Sequence, residues 1–534
     1  MSADRYDVII IGAGHNGLVA AAYLAKAGRQ VLVLEARDLV GGAAASEEVW
    51  PGFQVEIGAV DAGLLRPRIA SDLKLEQYGL YWVEGQTAVF APQPDGTPLR
   101  LWRDVTRTAE ALAARDAALG EQWPRFVAAT GRRALLLGGT MLLTPPDADH
   151  HGPMDLLSWL PLLMKVRRQG RDEMMELVRV LPLPVRDYLD EWFGEDTASG
   201  RAVRGVLAAA AAAGDVPGPY AAGTTYSLLY HQSGGLNGGF RSSRFVRGGL
   251  AALLAALREA ASGQGAEIRT GSPVVRILLD EFDEEVVGVR LDDGQEIQAR
   301  AVLSSADPKR TFFELIGAPR LPPSLVRAAG NVRQGGLASR VALALDGLPA
   351  FVGAEGEADL DGHIVIAPSV DYVERAWDAA KYGRLPVEPV LEAVVPTIHS
   401  PELAPNGQQL MLVTARFTPY RLREGEWAQQ RERLGDLVAE TLAQYAPDLP
   451  SRILKRRIIT PADYAERYML TDGGGYHGQM ALDQLFFMRP IPGYGRYRTP
   501  IAGLYLGGAG THPGGGITGA PGYNAAKALL SDRR

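Results

Sequence analysis

A chain of 534 residues, 46% apolar and 22% charged, has the composition of an ordinary globular protein, and its length exceeds what one core usually holds, so two joined domains are expected. A formal net charge of −7 gives no electrostatic reason to bind nucleic acid. The absence of cysteine excludes thiol–disulfide catalysis, a cysteinyl-flavin bond, iron–sulfur clusters and thiolate zinc sites.

The run Tyr6-Asp7-Val8-Ile9-Ile10-Ile11 predicts a buried parallel strand, and it leads straight into Gly12-Ala13-Gly14-His15-Asn16-Gly17. In that spacing Gly12 permits the tight turn, Gly14 lets backbone N–H groups approach a pyrophosphate, and Gly17 lets the next helix lie close on the sheet. Leu18, Ala21, Ala22 and Ala25 make the packing face of that helix, and Gly28 sits at its C-terminal cap. A second strand, 31–34, ends in Glu35, where a carboxylate accepts hydrogen bonds from an adenosine ribose. Strand, glycines, helix, strand and acid in register predict an ADP-containing dinucleotide with its phosphates at the helix N-terminus. The chain enters its first strand within a few residues, so no signal or transit peptide is expected. No run approaches the roughly 18 apolar residues of a membrane helix. The expected compartment is the cytoplasm, with peripheral membrane contact as a variant.

Beyond Glu35 and Ala36 comes Arg37-Asp38-Leu39-Val40-Gly41-Gly42-Ala43-Ala44, then Pro51-Gly52-Phe53 through Gly58-Ala59. The pair Gly41-Gly42 lets the chain pass against a cofactor with no side chain between. Further on, Tyr497-Arg498-Thr499-Pro500 leads to Gly503-Leu504-Tyr505-Leu506-Gly507-Gly508-Ala509-Gly510, His512, Gly514-Gly515-Gly516-Ile517-Thr518-Gly519 and Asn524-Ala525-Ala526. On these motifs the chain resembles the FAD-dependent family of phytoene desaturases and amine oxidases, nearest its phytoene-desaturase-like branch. The resemblance runs the whole length and is least distinctive in the middle. It implies an α/β fold: a Rossmann-like FAD-binding domain of the glutathione reductase 2 type with a discontinuous, mixed α+β substrate domain. It also implies FAD contacts from Gly12, Gly14, His15, Asn16, Gly17, Glu35, Ala36, Gly41, Gly42, Ala43, Ala44, Gly58, Ala59, the backbone of Val274, Gly508, Ala509, Ile517, Thr518 and Gly519. Two positions depart from the family pattern. Many relatives carry arginine where this chain has Ala43, and many amine oxidases an acid where it has Ala509, so only backbone contacts are expected there. No second dinucleotide fingerprint is present, because Gly508-Ala509-Gly510 opens no complete βαβ unit. Electrons are therefore expected to reach oxygen, a quinone or another acceptor.

The FAD-binding domain is expected over 1–75, 245–320 and 471–534, and the substrate domain over 76–244 and 321–470. In the latter, 135–144, 155–168, 172–181 and 201–213 read as helices. Segment 155–168 places Leu156, Leu160 and Leu163 on one face and ends in cations. It reads as a core helix with its cations at the C-terminal dipole, or as a helix resting on an anionic membrane. The alanines of 207–213 suit close helix packing or a smooth tunnel wall. His150 and His151 stand on a proline-flanked loop and read as polar loop residues, so no metal site is expected. In the returning part, 251–261 reads as a helix, 267–270 as a strand, and 273–278, 286–291 and 296–303 as a three-strand meander.

His231, His477 and His512 adjoin family-like segments and are the candidate acid–base groups. Each also reads as a loop or cofactor neighbour, and no catalytic residue is assigned. The expected function is an FAD-dependent oxidoreductase moving a hydride between flavin and a hydrophobic small molecule of the carotenoid, terpenoid or lipid class. A flavin amine oxidase is the alternative enzyme, and a non-catalytic flavoprotein acting as a binding or assembly partner the alternative class. A long apolar tunnel favours desaturation, and a compact aromatic pocket amine oxidation. The sequence sets neither the substrate nor the oligomeric state.

Overall fold

The computed structural model describes residues 5–146, 159, 160, 164, 167, 168, 170–194, 197–235 and 241–532. Most of the predicted helix 155–168, with His150 and His151, lies outside the described residues.

Two seven-stranded sheets organise the chain. In the first, the order is Val274–Leu279, Val286–Leu291, Glu296–Ser304, Arg5–Ile11, Val31–Leu34, Glu267–Arg269. The run Val8 to Ile11 is buried without alternation, as a parallel strand covered on both faces must be. The nine-residue strand Glu296–Ser304 changes role along its length. Its first residues pair antiparallel with Val286–Leu291, whereas Val302, Leu303 and Ser304 pair parallel with Leu504–Leu506. Its other edge runs parallel to Arg5–Ile11 throughout. Helices His15–Lys26, Gly249–Gly263 and Ala520–Ser531 cover one face through Leu18, Ala21, Leu253, Leu257, Ala525 and Ala526. Phe312, Leu315 and Leu325 cover the other, against Ile9, Leu32 and Val302. This is the α/β architecture expected from the fingerprint.

The second sheet runs Ile453–Ile459, Ala338–Leu345, Gln409–Arg416, Leu391–Val394, His363–Ile366, Thr87–Ala91, Leu99–Trp102. All its pairs are antiparallel except His363–Ile366 with Thr87–Ala91. Side-chain alternation splits its two faces. Val341, Leu343, Met411, Val413, Leu391 and Ala393 join a core with the helices Ala117–Thr140 and Ala198–Ala211. Ala342, Ala344, Leu410, Leu412 and Val394 face Phe53 and Val55 of the hairpin Ser46–Trp50/Phe53–Glu56 and Ile57 just after it.

Three predicted helices change their limits. Segment 135–144 is the end of the 24-residue helix Ala117–Thr140, which stops before Met141. The predicted 172–181 and 201–213 become Arg171–Val180 and Ala198–Ala211. The alanine-rich helix is there for close packing: a Cβ on Gly205 would lie 2.2 Å from the Ala367 carbonyl oxygen. No helix among the described residues is long and apolar enough to cross a membrane.

Candidate functional site

The glycine turn is held by its own backbone and by the acid of the fingerprint. Gly12 donates its N–H to the Leu34 carbonyl at 2.8 Å, and Gly41 donates to the Ala13 carbonyl at 2.8 Å. Glu35 Oε2 accepts from the Ala13 N–H at 2.8 Å, and Oε1 accepts from the Arg37 N–H at 3.1 Å. Gly17 is the tightest point: a Cβ there would sit 2.0 Å from the Gly12 carbonyl oxygen, so only glycine lets the helix start against the turn.

Two adjoining cavities open beside this turn, sharing His15, Ala43, Leu470, Gly475 and Ala509. The narrower, about 150 Å³, follows the turn past Gly12, Gly14, His15, Asn16, Glu35, Ala36, Gly41, Gly42, Ala43, Val274 and Ala509. The wider, about 220 Å³, reaches toward the second sheet past His15, Ala43, Ala44, Gly58, Ala59, Ala509 and Ile517. Gly17, Gly508, Thr518 and Gly519, also expected at the cofactor, line neither. Gly508 packs on the sheet, with a Cβ position 2.2 Å from the Ser305 carbonyl oxygen. Thr518 is fully buried and its carbonyl accepts from the Arg66 N–H at 3.1 Å. Gly519 is left-handed (φ +68°), and a Cβ there would point at Ile69, Val19 and Leu65. Glycine at 519 answers to apolar packing and to the start of Ala520–Ser531.

The residues of the narrower cavity suit the adenosine diphosphate part of a dinucleotide. The cavity runs along a side-chain-free turn at a helix N-terminus, has the Glu35 carboxylate beside it, and carries two buried polar atoms without partners among the described residues, His15 Nε2 and Asn16 Oδ1.

The three candidate histidines separate. His231 lines the wider cavity; its Nδ1 lies 2.8 Å from the Ser227 carbonyl oxygen and its Nε2 lies 3.1 Å from Tyr476 Oη. That carbonyl assigns the proton to Nδ1 and leaves Nε2 as acceptor. Burial, with Arg241 nearby, lowers its pKa to about 3, so it is neutral at physiological pH. His477 lines the narrower cavity, and its pKa is lowered by burial against the opposing pull of Asp307. His512 lines neither cavity. Its Nε2 is 3.1 Å from the Thr140 carbonyl oxygen, and its ring packs edge-on against Phe486, which makes it a packing residue. Arg489, 2% exposed, ties this region together by donating to the carbonyls of Tyr476, Gly478, Gln479, Gln484 and Ala509.

Sequence reasoning missed the charged wall of the wider cavity. Strand register puts Arg340 opposite Thr414, and Thr414 opposite Glu392, with Arg416 two residues further along the same face. The face that is apolar at Ala342, Ala344 and Leu412 becomes ionic where it meets the cavity. Arg241, Asp61 and Asp215 complete that wall, with Tyr464 and Tyr476. Burial pushes the Asp215 carboxyl up to about 6 and raises that of Asp61. Burial lowers Arg241 to about 10, still a cation at neutral pH. The available signal was an arginine or glutamate standing in an otherwise apolar strand at Arg340, Glu392 and Arg416.

The model of flavin containing amine oxidoreductases matches residues 193–530, and that of NAD(P)-binding Rossmann-like domains matches residues 10–60. The chain belongs to the flavin-containing amine oxidoreductase family. Pyridine nucleotide-disulfide oxidoreductase domain-containing protein 2 of Mus musculus is 34% identical, over 99% of this chain and 94% of that protein. A phytoene desaturase (lycopene-forming) of Pseudescherichia vulneris is 27% identical, over 98% of each. An oxidoreductase structure from Methanosarcina mazei shares the fold at a TM-score of 0.60 and 17% identity, covering 98% of this chain and 100% of that one. Lacking cysteine, this flavin-containing amine oxidoreductase has no thiol with which to exchange a disulfide.

Proposed function

We propose that the chain binds FAD without a covalent bond and moves a hydride between it and a small molecule with a substantial apolar part. The observation that carries this reading is the junction of the two cavities at His15, Ala43 and Ala509, which joins a dinucleotide-shaped groove to a chamber reaching the second sheet. The turn at Gly12 and Gly14, with Glu35, would hold the adenosine diphosphate part, and Ala43, Gly58, Ala59 and Ile517 would flank the ring. Bound there, FAD would accept the hydride and with it the two electrons of the oxidation. Leu64, Leu337 and Leu470 give the chamber an apolar side that excludes water from an apolar substrate. His231 Nε2 accepts from the Tyr476 hydroxyl, which burial raises to about 12; with its own pKa lowered to about 3 the imidazole orients that hydroxyl toward the chamber rather than taking a proton from substrate. With one glycine fingerprint in the chain, the electron acceptor is oxygen, a quinone or a similar small molecule rather than a nicotinamide nucleotide.

The test is to identify the nucleotide released on denaturation, then to screen lipid, terpenoid and amine extracts anaerobically for loss of the flavin's visible absorbance. FAD release and bleaching by an apolar fraction are expected. Recovery of FMN, of NAD, or of no nucleotide after supplementation would sink the cofactor reading. Intact FAD that no extract bleaches would favour a non-catalytic flavoprotein.

A further inference from the structure

The wider cavity distributes its hydrogen-bonding capacity unevenly. Its acids are engaged by the protein. Glu392 accepts from Arg241 and, at 2.8 Å, from Arg416 Nη2. Asp61 accepts from the N–H groups of Gly63, at 3.0 Å, and Arg244. Asp215 accepts from the N–H groups of Leu337, at 3.3 Å, and Tyr476.

Its donors are not matched in the same way. Arg340, 3% exposed, gives its hydrogen bonds to neutral acceptors: the Ile57 and Gly58 carbonyls at 3.3 Å each and Thr414 Oγ1 at 2.7 Å. Arg416 keeps its Nε buried and without a partner among the described residues. A guanidinium carries five N–H donors in a planar fork that matches a carboxylate, and a buried donor left unpaired is costly. The carboxylates of the wall do not reach these donors: Glu392 is shared between Arg241 and Arg416 Nη2, and Asp61 and Asp215 accept from backbone N–H groups. Glu56, close enough to feel Arg340, is pushed up to about 7 by burial, and burial keeps His231 and His363 neutral.

We infer that the chamber takes amphipathic organic acids, the carboxylate oxygens accepting hydrogen bonds from Arg416 with Arg340 supplying a second positive charge, and the carbon body lying toward Leu64, Leu337 and Leu470. The inference rests on reading this chamber as the substrate site. An amine would meet carboxylates that already accept from arginine or backbone N–H groups, whereas Arg416 keeps a donor with no acceptor at all among the described residues. A neutral hydrocarbon offers Arg416 nothing. The chamber's roughly 220 Å³ is smaller than the roughly 300–1,000 Å³ of pockets for drug-sized ligands and is shared with the ring that Gly58, Ala59 and Ile517 would flank, so what remains encloses a short carbon body or one end of a longer one.

The experiment is calorimetric titration of the full chain, as purified, with octanoate, octanamide and octylamine, with the flavin content of each preparation measured separately. Octanoate should bind saturably and about tenfold or more tighter than octanamide, the factor expected of hydrogen bonds to a charged group. Arg416→Gln should bring that ratio to near one by weakening octanoate far more than octanamide, and Arg416→Lys should retain part of it. Equal affinities, tighter octylamine binding, undetectable octanoate binding, or a ratio that survives Arg416→Gln would each overturn the inference. Should Arg416→Gln fail to fold, the wild-type ratio decides alone. Absence of FAD defeats the cofactor reading and leaves the binding ratio to be judged by itself; FAD-loaded protein indifferent to the carboxylate defeats only this inference.

Discussion

Replacing Arg489 by methionine keeps an unbranched apolar stem, cuts off the end of the guanidinium and removes every donor. Five carbonyls, of Tyr476, Gly478, Gln479, Gln484 and Ala509, lose a partner at once. The Gln479 carbonyl keeps Gln484 Nε2 at 3.3 Å, and each of the other four left unsatisfied costs about 1–3 kcal/mol, so even the low end gives about 4 kcal/mol. Part of this is offset because burial penalises the guanidinium itself, lowering it to about 10. A net loss of about 3 kcal/mol is expected for Arg489→Met, and about half of that for Arg489→Lys, which keeps three donors on a different geometry. The urea midpoint read by tryptophan fluorescence measures the size, and amide hydrogen exchange of 476–484 measures the place. Because the guanidinium binds one loop to another, exchange in 476–484 should rise more than in the strands of either sheet. A methionine variant within about 0.5 kcal/mol of wild type, or one whose loop exchange is unchanged, refutes the reasoning.

Three further outcomes are expected. Glu35→Ala should weaken FAD by roughly 1.5–3 kcal/mol in a titration of apoprotein followed by flavin fluorescence, and unchanged affinity would remove Glu35 from the site. Gly17→Ala should lower stability by roughly 1–3 kcal/mol and reduce flavin content, because its Cβ must displace the Gly12 carbonyl; Gly28→Ala, where a Cβ meets nothing within 4 Å, should cost only about 1 kcal/mol from its left-handed backbone. Glu56, raised by burial to about 7, binds its proton more tightly folded than unfolded, so its contribution to stability is present in acid and lost as pH rises through about 7. Glu56→Gln should therefore gain on wild type between about pH 4.5 and 7, by up to about 3 kcal/mol, and parallel stability–pH curves would contradict the assignment.

What the sequence disclosed was local. The turn Gly12–Gly17, its flanking strands and Glu35 are contiguous, so their spacing carries the geometry, and the meander 273–303 announces itself by alternation and Asp/Gly turns. The charged wall was hidden because Arg340, Glu392 and Arg416 meet only through the register of three strands. Arg489 was hidden for another reason: its partners are backbone carbonyls, which leave no residue signature. Gly519 was legible as a special backbone position, but a glycine does not reveal which side its missing Cβ would face. The helix ending at Thr140 was overextended because Met141, Leu142 and Leu143 continue the apolar pattern, while Met141 is buried against other elements, including Asn524 and Arg66.

The strand Glu296–Ser304 gives the protein a schedule as well as a shape. During synthesis Arg5–Ile11 emerges early, with Val31–Leu34 soon available on one side, yet its other neighbour is Glu296–Ser304. At 5–20 residues per second the ribosome needs on the order of 15–60 s to reach that strand, and longer to deliver Leu504–Leu506. For that interval the apolar edge at Val8, Ile9 and Ile10 has no partner of its own, which makes the nascent chain a client for chaperones. The nucleotide groove cannot be finished before the substrate sheet has been translated, so cofactor loading is an event of the completed chain rather than of an N-terminal domain folding alone.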